Sequence, residues 1–83
     1  MSFASAEALR NGMRDAQWDT ADLWVASVAM GGHFRQRDIE LVALGTADLS
    51  PADHDVLAAA LNDYFTELGQ DHPVRYWRDL PDS

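Results

Sequence analysis

Apolar residues recur along most of the chain at the three- and four-residue spacing of an amphipathic helix. Glycines end these runs, because glycine adopts the left-handed conformation of a helix C-cap without steric cost. The pattern predicts an all-α bundle of three main helices plus a shorter N-terminal one. The predicted ranges are about residues 5–15, 19–30, 35–44 and 50–68. Ser5 is the candidate N-cap of the first helix, and Asp19 or Thr20 that of the second.

The longest predicted helix has the clearest start and stop signals. Ser50 is a candidate cap, Pro51 fits the first helical position, and Asp53 completes an acidic variant of the capping box. Apolar residues then repeat on one face: Leu57, Ala60, Leu61, Tyr64, Phe65 and Leu68. The polar residues of this helix are predicted to face away from that stripe: Asp55, Asn62, Asp63, Thr66 and Glu67. Gly69 closes the helix.

The second predicted helix is apolar on most of its circumference and has only a narrow polar face around Asp22 and Ser27. A helix of this kind is expected in the middle of a bundle or at an interface. The run Ala58-Ala59-Ala60 in the fourth helix offers small side chains that permit close helix approach. Together these two features predict that the chain associates with a second copy of itself.

The segment after the fourth helix has a different character. Pro73 disfavours a helical conformation at His72 and removes a hydrogen-bond donor. We expect this tail to run extended and to pack back on the bundle through Val74, Tyr76 and Trp77, with residues 79–83 frayed. Because no linker or repeat divides the chain, residues 1–83 are predicted to form a single helical domain with an ordered core over about residues 5–78.

Charge and composition limit the classes of partner. The chain has 6 basic and 14 acidic residues, a formal charge of −8, and every basic residue is arginine. Nucleic-acid binding draws most of its free energy from neutralised phosphates, so a nucleic-acid partner is not expected. The chain has no cysteine and no apolar run near the roughly 18 to 20 residues that span a bilayer. We therefore expect a cytoplasmic protein without a membrane partner.

Short motifs occur in a fixed order around the fourth helix: Gly31-Gly32, Asp53-His54-Asp55, Leu57-Ala58, Ala60-Leu61-Asn62, Leu68-Gly69 and His72-Pro73-Val74. This order resembles a group of small, acidic, helical proteins of unknown function from high-GC Gram-positive bacteria. In that group a GG break precedes an E-H-D-x-L-A-x-A-L-N helix and an H-P-V tail. The similarity covers about Asp19–Tyr76, with Asp53 where the pattern has Glu. The resemblance implies the helical fold and assigns no activity.

The stretch MGGHFRQRDIE, Met30–Glu40, has the outline of a helix-turn-helix. Arg35 and Arg37 would occupy the first turn of the second helix, from which such helices reach base edges. Asp38 and Glu40 follow at once, and few arginines remain elsewhere to contact phosphates. The preferred interpretation is a corner between packed helices or a protein contact. A degenerate helix-turn-helix regulator is the alternative function.

No motif predicts catalysis, a cofactor or a metal. In the sequence ADHD at Ala52–Asp55, consecutive helical side chains point about 100° apart, so His54 and its neighbouring carboxylates do not converge on one substrate atom. The histidines His33, His54 and His72 lie on separate segments and form no i, i+4 pair. We therefore predict that the protein is not an enzyme.

The predicted function is that of a small acidic protein-interaction or regulatory module. Arginine, tyrosine and tryptophan are frequent interface anchors, and adjacent carboxylates favour a basic partner. The candidate contact residues are Arg35, Arg37, Asp63, Glu67, Arg75, Tyr76 and Trp77. For the tail aromatics, burial in the protein's own core is the alternative, and it is favoured because it is the commoner fate of such residues. The partner is a protein of unknown identity, and a second copy of the chain, giving a homodimer, is one candidate.

Overall fold

Four helices and one 3-10 turn make up the part of the chain that the computed structural model describes, residues 3–46 and 48–81. The elements are α1 (Phe3–Ala16), α2 (Thr20–Ala29), α3 (Gln36–Ala43), α4 (Pro51–Glu67) and the 3-10 turn Trp77–Asp79. These described ranges contain no β-strand. The all-α bundle predicted from the sequence is confirmed, and α4 is its longest helix. The N-terminal helix is not the shorter one that was predicted, because α1 has 14 residues and is longer than α2 and α3. None of the described helices is long and apolar enough to cross a membrane.

The helix starts follow the predicted caps in part. Asp19 and Asp22 form a reciprocal capping box at α2, with N–H···O distances of 2.9 and 3.0 Å. Ser50 Oγ accepts a hydrogen bond from Asp53 N at 3.1 Å, so α4 begins with a serine cap. Among the described hydrogen bonds, none joins the Asp53 side chain to the Ser50 backbone N–H, as a capping box would require. The cap predicted at Ser5 is wrong, because Ser5 lies inside α1 and is buried.

The core forms where the apolar face of α4 packs against α1 and α2. Leu57, Leu61 and Phe65 are at most 2% exposed. They pack with apolar residues of the other helices: Leu9, Met13, Leu23, Ile39 and Val42. Ala58 and Ala60 are buried in this same core, at 0% and 3% exposure. The alanine run that was expected to support self-association is therefore used inside the chain.

The side of α2 that is buried differs from the prediction. Leu23 and Ser27 are fully buried, whereas Val25 and Val28 are exposed. Ser27 can be buried because its hydroxyl donates to Trp24 O at 2.7 Å, which satisfies it within its own helix. The polar face predicted around Asp22 and Ser27 is therefore wrong at Ser27, whereas Asp22 is exposed, and the outer face of α2 is apolar from Val25 onward.

The C-terminal tail packs on the bundle, as predicted. Val74 is 5% exposed, and Tyr76 and Trp77 are half-buried. The fraying predicted for residues 79–83 is wrong at its first two positions. Asp79 belongs to the 3-10 turn, and Leu80 is buried, with 5% of its surface exposed. Residues 82 and 83 lie outside the described part of the chain.

Gly12, in the middle of α1, allows the tail to approach closely. A Cβ atom at this position would lie 2.9 Å from Val74 Cγ2 and 3.0 Å from Leu61 Cδ1. Glycine in a helix interior costs about 1 kcal/mol relative to alanine. The close packing of the tail against α1 gives a physical reason for a glycine here.

Candidate interaction surfaces

His54 joins α1, α4 and the tail. Its side chain is 0% exposed, and its Nε2 atom lies 2.8 Å from Arg75 O. A carbonyl oxygen only accepts hydrogen bonds, so Nε2 carries a proton and donates to it. On the other side of the ring, Nδ1 lies 2.7 Å from Ser5 Oγ. The imidazole is thereby held between two segments that are far apart in the sequence.

Asn62 and Asp55 bind the backbone of the same tail. The Asn62 amide donates to Val74 O and accepts from Val74 N, each at 2.9 Å. Asp55 Oδ1 accepts from Trp77 N at 2.8 Å. Buried backbone N–H and C=O groups need hydrogen-bond partners, and here side chains of α4 supply the partners that a neighbouring β-strand would otherwise provide. The predicted solvent-facing position of Asn62 is wrong, since its exposure is 1%. We call His54, Asp55 and Asn62 the tail clasp.

The ADHD sequence forms no acid–base group, because its side chains diverge as expected from their helical spacing. His54 faces Ser5 and the Arg75 carbonyl, Asp55 faces the Trp77 backbone, and Asp53 is exposed in the first turn of α4. Within residues 3–46 and 48–81 there is no group of three His, Cys, Asp or Glu side chains that could hold a metal ion. His54 and Asp55 use their polar atoms for hydrogen bonds with the backbone of the tail.

The exposed apolar surface of α2 consists of Val25, Val28 and Ala29, with Met30 at its C-terminal end, and we call it the α2 face. Val25 is 60% exposed, Val28 51% and Met30 45%. The positions 25, 28 and 29 share one side of a helix by the i, i+3, i+4 rule. No charged residue occurs from Leu23 to Gly32. The α2 face is therefore apolar in a strongly acidic chain, and Asp22, one turn before Val25, is the carboxylate of α2 at its N-terminal edge.

The corner between α2 and α3 is fixed by hydrogen bonds. Trp24 Nε1 donates to Phe34 O at 2.8 Å, and Arg35 N donates to Asp38 Oδ2 at 2.9 Å. Gly31 has φ +84°, a left-handed conformation that suits glycine after a helix end. Because it accepts the hydrogen bond from Arg35 N, the Asp38 carboxylate lies at the start of α3. In a DNA-reading helix, that position would face the nucleic acid with a negative charge.

The predicted contact residues lie on three different parts of the chain. Arg35 and Arg37 are exposed at the start of α3, and Asp63 and Glu67 are exposed on α4. Arg75 is exposed on the tail. Tyr76 is half-buried against the chain's own core. Trp77 is also half-buried, and its ring lies edge-to-face with that of His54, with 5.9 Å between the ring centroids. The charged candidates are thus accessible, and the aromatic ones are largely used in holding the tail.

A groove of about 350 Å³ lies between α1 and the tail. Small residues of α1 line its inner part: Ala4, Ala8 and Gly12. Beneath them lie Phe65, Val74 and Leu80, all of which are buried. Polar residues of α1 follow the outer edge at Glu7, Asn11 and Asp15, and the opposite wall includes Pro73, Arg75 and Pro81. Both rows on α1 repeat every four residues, a signal that the sequence carries but that the sequence analysis missed.

Few of the carboxylates are neutralised by arginine. In the described part of the chain, the one arginine–carboxylate ion pair joins Arg14 Nε to Asp15 Oδ1 at 3.5 Å, with both side chains more than 60% exposed. An exposed pair of this kind contributes about 0–1 kcal/mol. The acidic character of the chain is therefore available to a partner with basic groups.

The fold and these surfaces define a small all-α bundle with a clasped tail, an apolar helix face and an open groove. Comparisons of the chain with protein-family models, curated proteins and solved structures found no match. The resemblance to small acidic bacterial proteins stays a prediction. The structure gives its motif residues a physical role, because His54, Asn62 and Val74 are all part of the contact between α4 and the tail.

Proposed function

We propose that this chain is a small protein-interaction module that works by contact and not by catalysis, with the α2 face as its main contact surface. The observation that carries the proposal is the exposure of Val25 and Val28, at 60% and 51%, on a helix whose polar Ser27 is buried. Burial of apolar surface contributes about 25 cal/mol per Å². A partner that covers the α2 face would gain this free energy.

A second copy of the chain is the partner whose chemistry fits this face best. The formal charge of −8 makes two copies repel each other in general. The stretch from Leu23 to Gly32 carries no charge, and Asp22 lies at the N-terminal edge of the face, so two α2 helices that run antiparallel can meet without opposing carboxylates. Ala29 adds a small side chain on that face, which permits close helix approach. One short helix buries less than the roughly 1,000 Å² of accessible surface that a stable interface buries. We therefore expect a dissociation constant on the order of 100 µM for the dimer.

Sedimentation equilibrium over about 10 to 500 µM tests this proposal. The apparent mass of the wild type should rise from 9.2 kDa toward twice that value. Val28→Asp should remain monomeric, because it places a charge at the centre of the interface. Leu68→Asp is the matched control, since Leu68 is also an exposed apolar residue at the C-terminal end of a helix. It should associate like the wild type.

A monomeric wild type at every concentration would contradict the proposal. Equal association of the wild type and Val28→Asp would show that another surface mediates the contact. Circular dichroism should show comparable folding of both variants, because each adds one carboxylate near a helix C-terminus, where the cost is about 0.3–1 kcal/mol.

A degenerate helix-turn-helix regulator is the second candidate function. It is favoured by the exposure of Arg35 and Arg37 at the start of α3, directly after the corner. Against it, Asp38 caps this same turn, and the whole chain is acidic. Since phosphate attraction supplies most of the affinity of DNA-binding proteins, these charges favour protein contact as the function.

A further inference from the structure

We propose that the groove between α1 and the tail binds an extended peptide segment with one apolar side chain between two basic side chains. This inference deepens the proposed function and rests on it, because it names a class of partner for a protein-interaction module. The groove shares no residue with the α2 face. The two surfaces can therefore be tested separately.

The spacing of two carboxylates sets the spacing of the basic groups. Glu7 and Asp15 both line the groove and are eight residues apart on α1, which corresponds to about 12 Å along a helix. In an extended chain, side chains on one face repeat every second residue, and positions i and i+4 are about 13 Å apart. Basic side chains at i and i+4 of a bound segment would therefore reach both carboxylates, with the second replacing Arg14 in its exposed ion pair with Asp15.

The apolar inner part of the groove receives the side chain at position i+2. Ala8 lies between the two carboxylates and has a small side chain, so the peptide backbone can come close to α1 there, whereas Gly12 is already covered by Val74. Phe65 and Val74 lie beneath them but are at most 5% exposed, so a bound apolar side chain would mainly contact Ala4, Ala8, Pro73 and Pro81. The volume of about 350 Å³ is near the lower end of the roughly 300–1,000 Å³ typical of ligand sites, which suits one side chain of leucine size with its backbone.

Two polar side chains are placed to bind the peptide backbone. Arg75, on the tail wall, is a donor and would bind backbone carbonyl groups of the segment. Asn11, between Glu7 and Asp15 on α1, offers both a donor and an acceptor. Pro73 and Pro81 have no N–H group, so the tail wall does not act there as a pairing strand. Recognition thus depends on side chains and on the charge of α1.

Fluorescence anisotropy with a labelled peptide SRTLTRS tests the inference at low salt. We expect a dissociation constant between about 10 and 500 µM. Glu7→Lys/Asp15→Lys should weaken binding at least about tenfold, because both complementary charges are reversed. Asp63→Lys/Glu67→Lys is the matched control, since it reverses the same number of carboxylates on the exposed side of α4, outside the groove. It should bind the peptide nearly as well as the wild type.

A charge exchange makes the test specific. The Glu7→Lys/Asp15→Lys variant should bind SETLTES, which the wild type should not bind. The peptide SRTSTRS, without the apolar residue, should bind the wild type at least about fivefold more weakly, because it leaves the inner part of the groove uncovered. Equal loss of SRTLTRS binding in both double variants would overturn the inference, since it would indicate only general attraction to an acidic protein.

Peptide binding tests the groove, and dimerisation tests the α2 face, so the two results can be interpreted separately. Val28→Asp should bind SRTLTRS like the wild type, because Val28 lies outside the groove. If the wild type dimerises and SRTLTRS does not bind, the groove inference fails and the proposed function stands. If SRTLTRS binds and the wild type is monomeric, the role of the α2 face is wrong and the groove inference holds. If neither is observed, both fail.

Discussion

Replacing Asn62 by alanine should release the C-terminal tail from α4. The Asn62 side chain makes two hydrogen bonds of 2.9 Å with the backbone of Val74, one as donor and one as acceptor. Both residues are at most 5% exposed, so water does not replace these bonds while the tail stays in place. Asn62→Ala therefore removes both partners of the Val74 backbone in one substitution.

The expected loss of stability follows from two alternatives. If the tail stays in place, two buried backbone groups lose their partners, at about 1–3 kcal/mol each. If the tail detaches, the buried side chains of Val74 and Leu80 become exposed, at about 1.5–3 kcal/mol each. The first route sums to about 2–6 kcal/mol and the second to about 3–6 kcal/mol, so we expect the free energy of unfolding to fall by at least about 2 kcal/mol, a large part of the roughly 5–15 kcal/mol of a small domain. The melting temperature should fall by about 8 °C or more.

Two measurements distinguish local from global loss. Thermal unfolding followed by far-UV circular dichroism gives the change in melting temperature. Hydrogen exchange of the Val74 amide reports on the tail alone, because this amide donates to Asn62 Oδ1 in the wild type. We expect its protection to be lost in Asn62→Ala under conditions in which the Leu61 amide, inside α4, remains protected.

The neighbouring residue provides the control. Asp63 is exposed and forms a like-charge i, i+4 pair with Glu67, so Asp63→Ala should keep the stability or raise it by a few tenths of a kcal/mol. If Asn62→Ala melts within about 2 °C of the wild type and Val74 remains protected, then the clasp does not hold the tail. The structural role given to Asn62 would then be wrong.

Further predictions concern packing and nucleic acid. Gly12→Ala should reduce the free energy of urea unfolding by about 1 kcal/mol although alanine favours helix, because its Cβ would lie 2.9 Å from Val74 Cγ2, and a gain would contradict this packing. The purified protein should not shift mixed-sequence duplex DNA in a gel assay at low salt, where phosphate attraction is strongest. Salt-sensitive DNA binding that is lost in Arg35→Glu/Arg37→Glu would instead support the helix-turn-helix function. This variant should melt within about 2 °C of the wild type.

The four helices could be predicted because their signals are local. Caps such as Ser50, helix stops such as Gly69 and the apolar spacing of α4 all act within a few residues. The buried side of α2 could not be chosen in this way. With apolar residues on most of its circumference, the pattern left Val25 and Leu23 equivalent, and the hydrogen bond that permits burial of Ser27 becomes visible only in the structure.

The tail clasp and the groove depend on contacts between distant parts of the sequence. Asn62 was predicted to face solvent because asparagine is usually exposed, and its partner Val74 lies on a segment without regular structure. Gly12 lies inside a helix pattern, and its role becomes clear only once Val74 is packed against it. The charged edge of the groove was present in the spacing of Glu7 and Asp15, but its opposite wall comes from the tail.

The proposal that the α2 face is the contact surface is tested most directly by following amide chemical shifts in solution as the protein is concentrated from about 20 to 500 µM. The amides of Val25, Val28 and their neighbours on α2 should shift progressively with concentration. The amides of Asp63 and Glu67, on the exposed acidic side of α4, should not move. A spectrum that does not change, or shifts centred on α4 instead of α2, would contradict it.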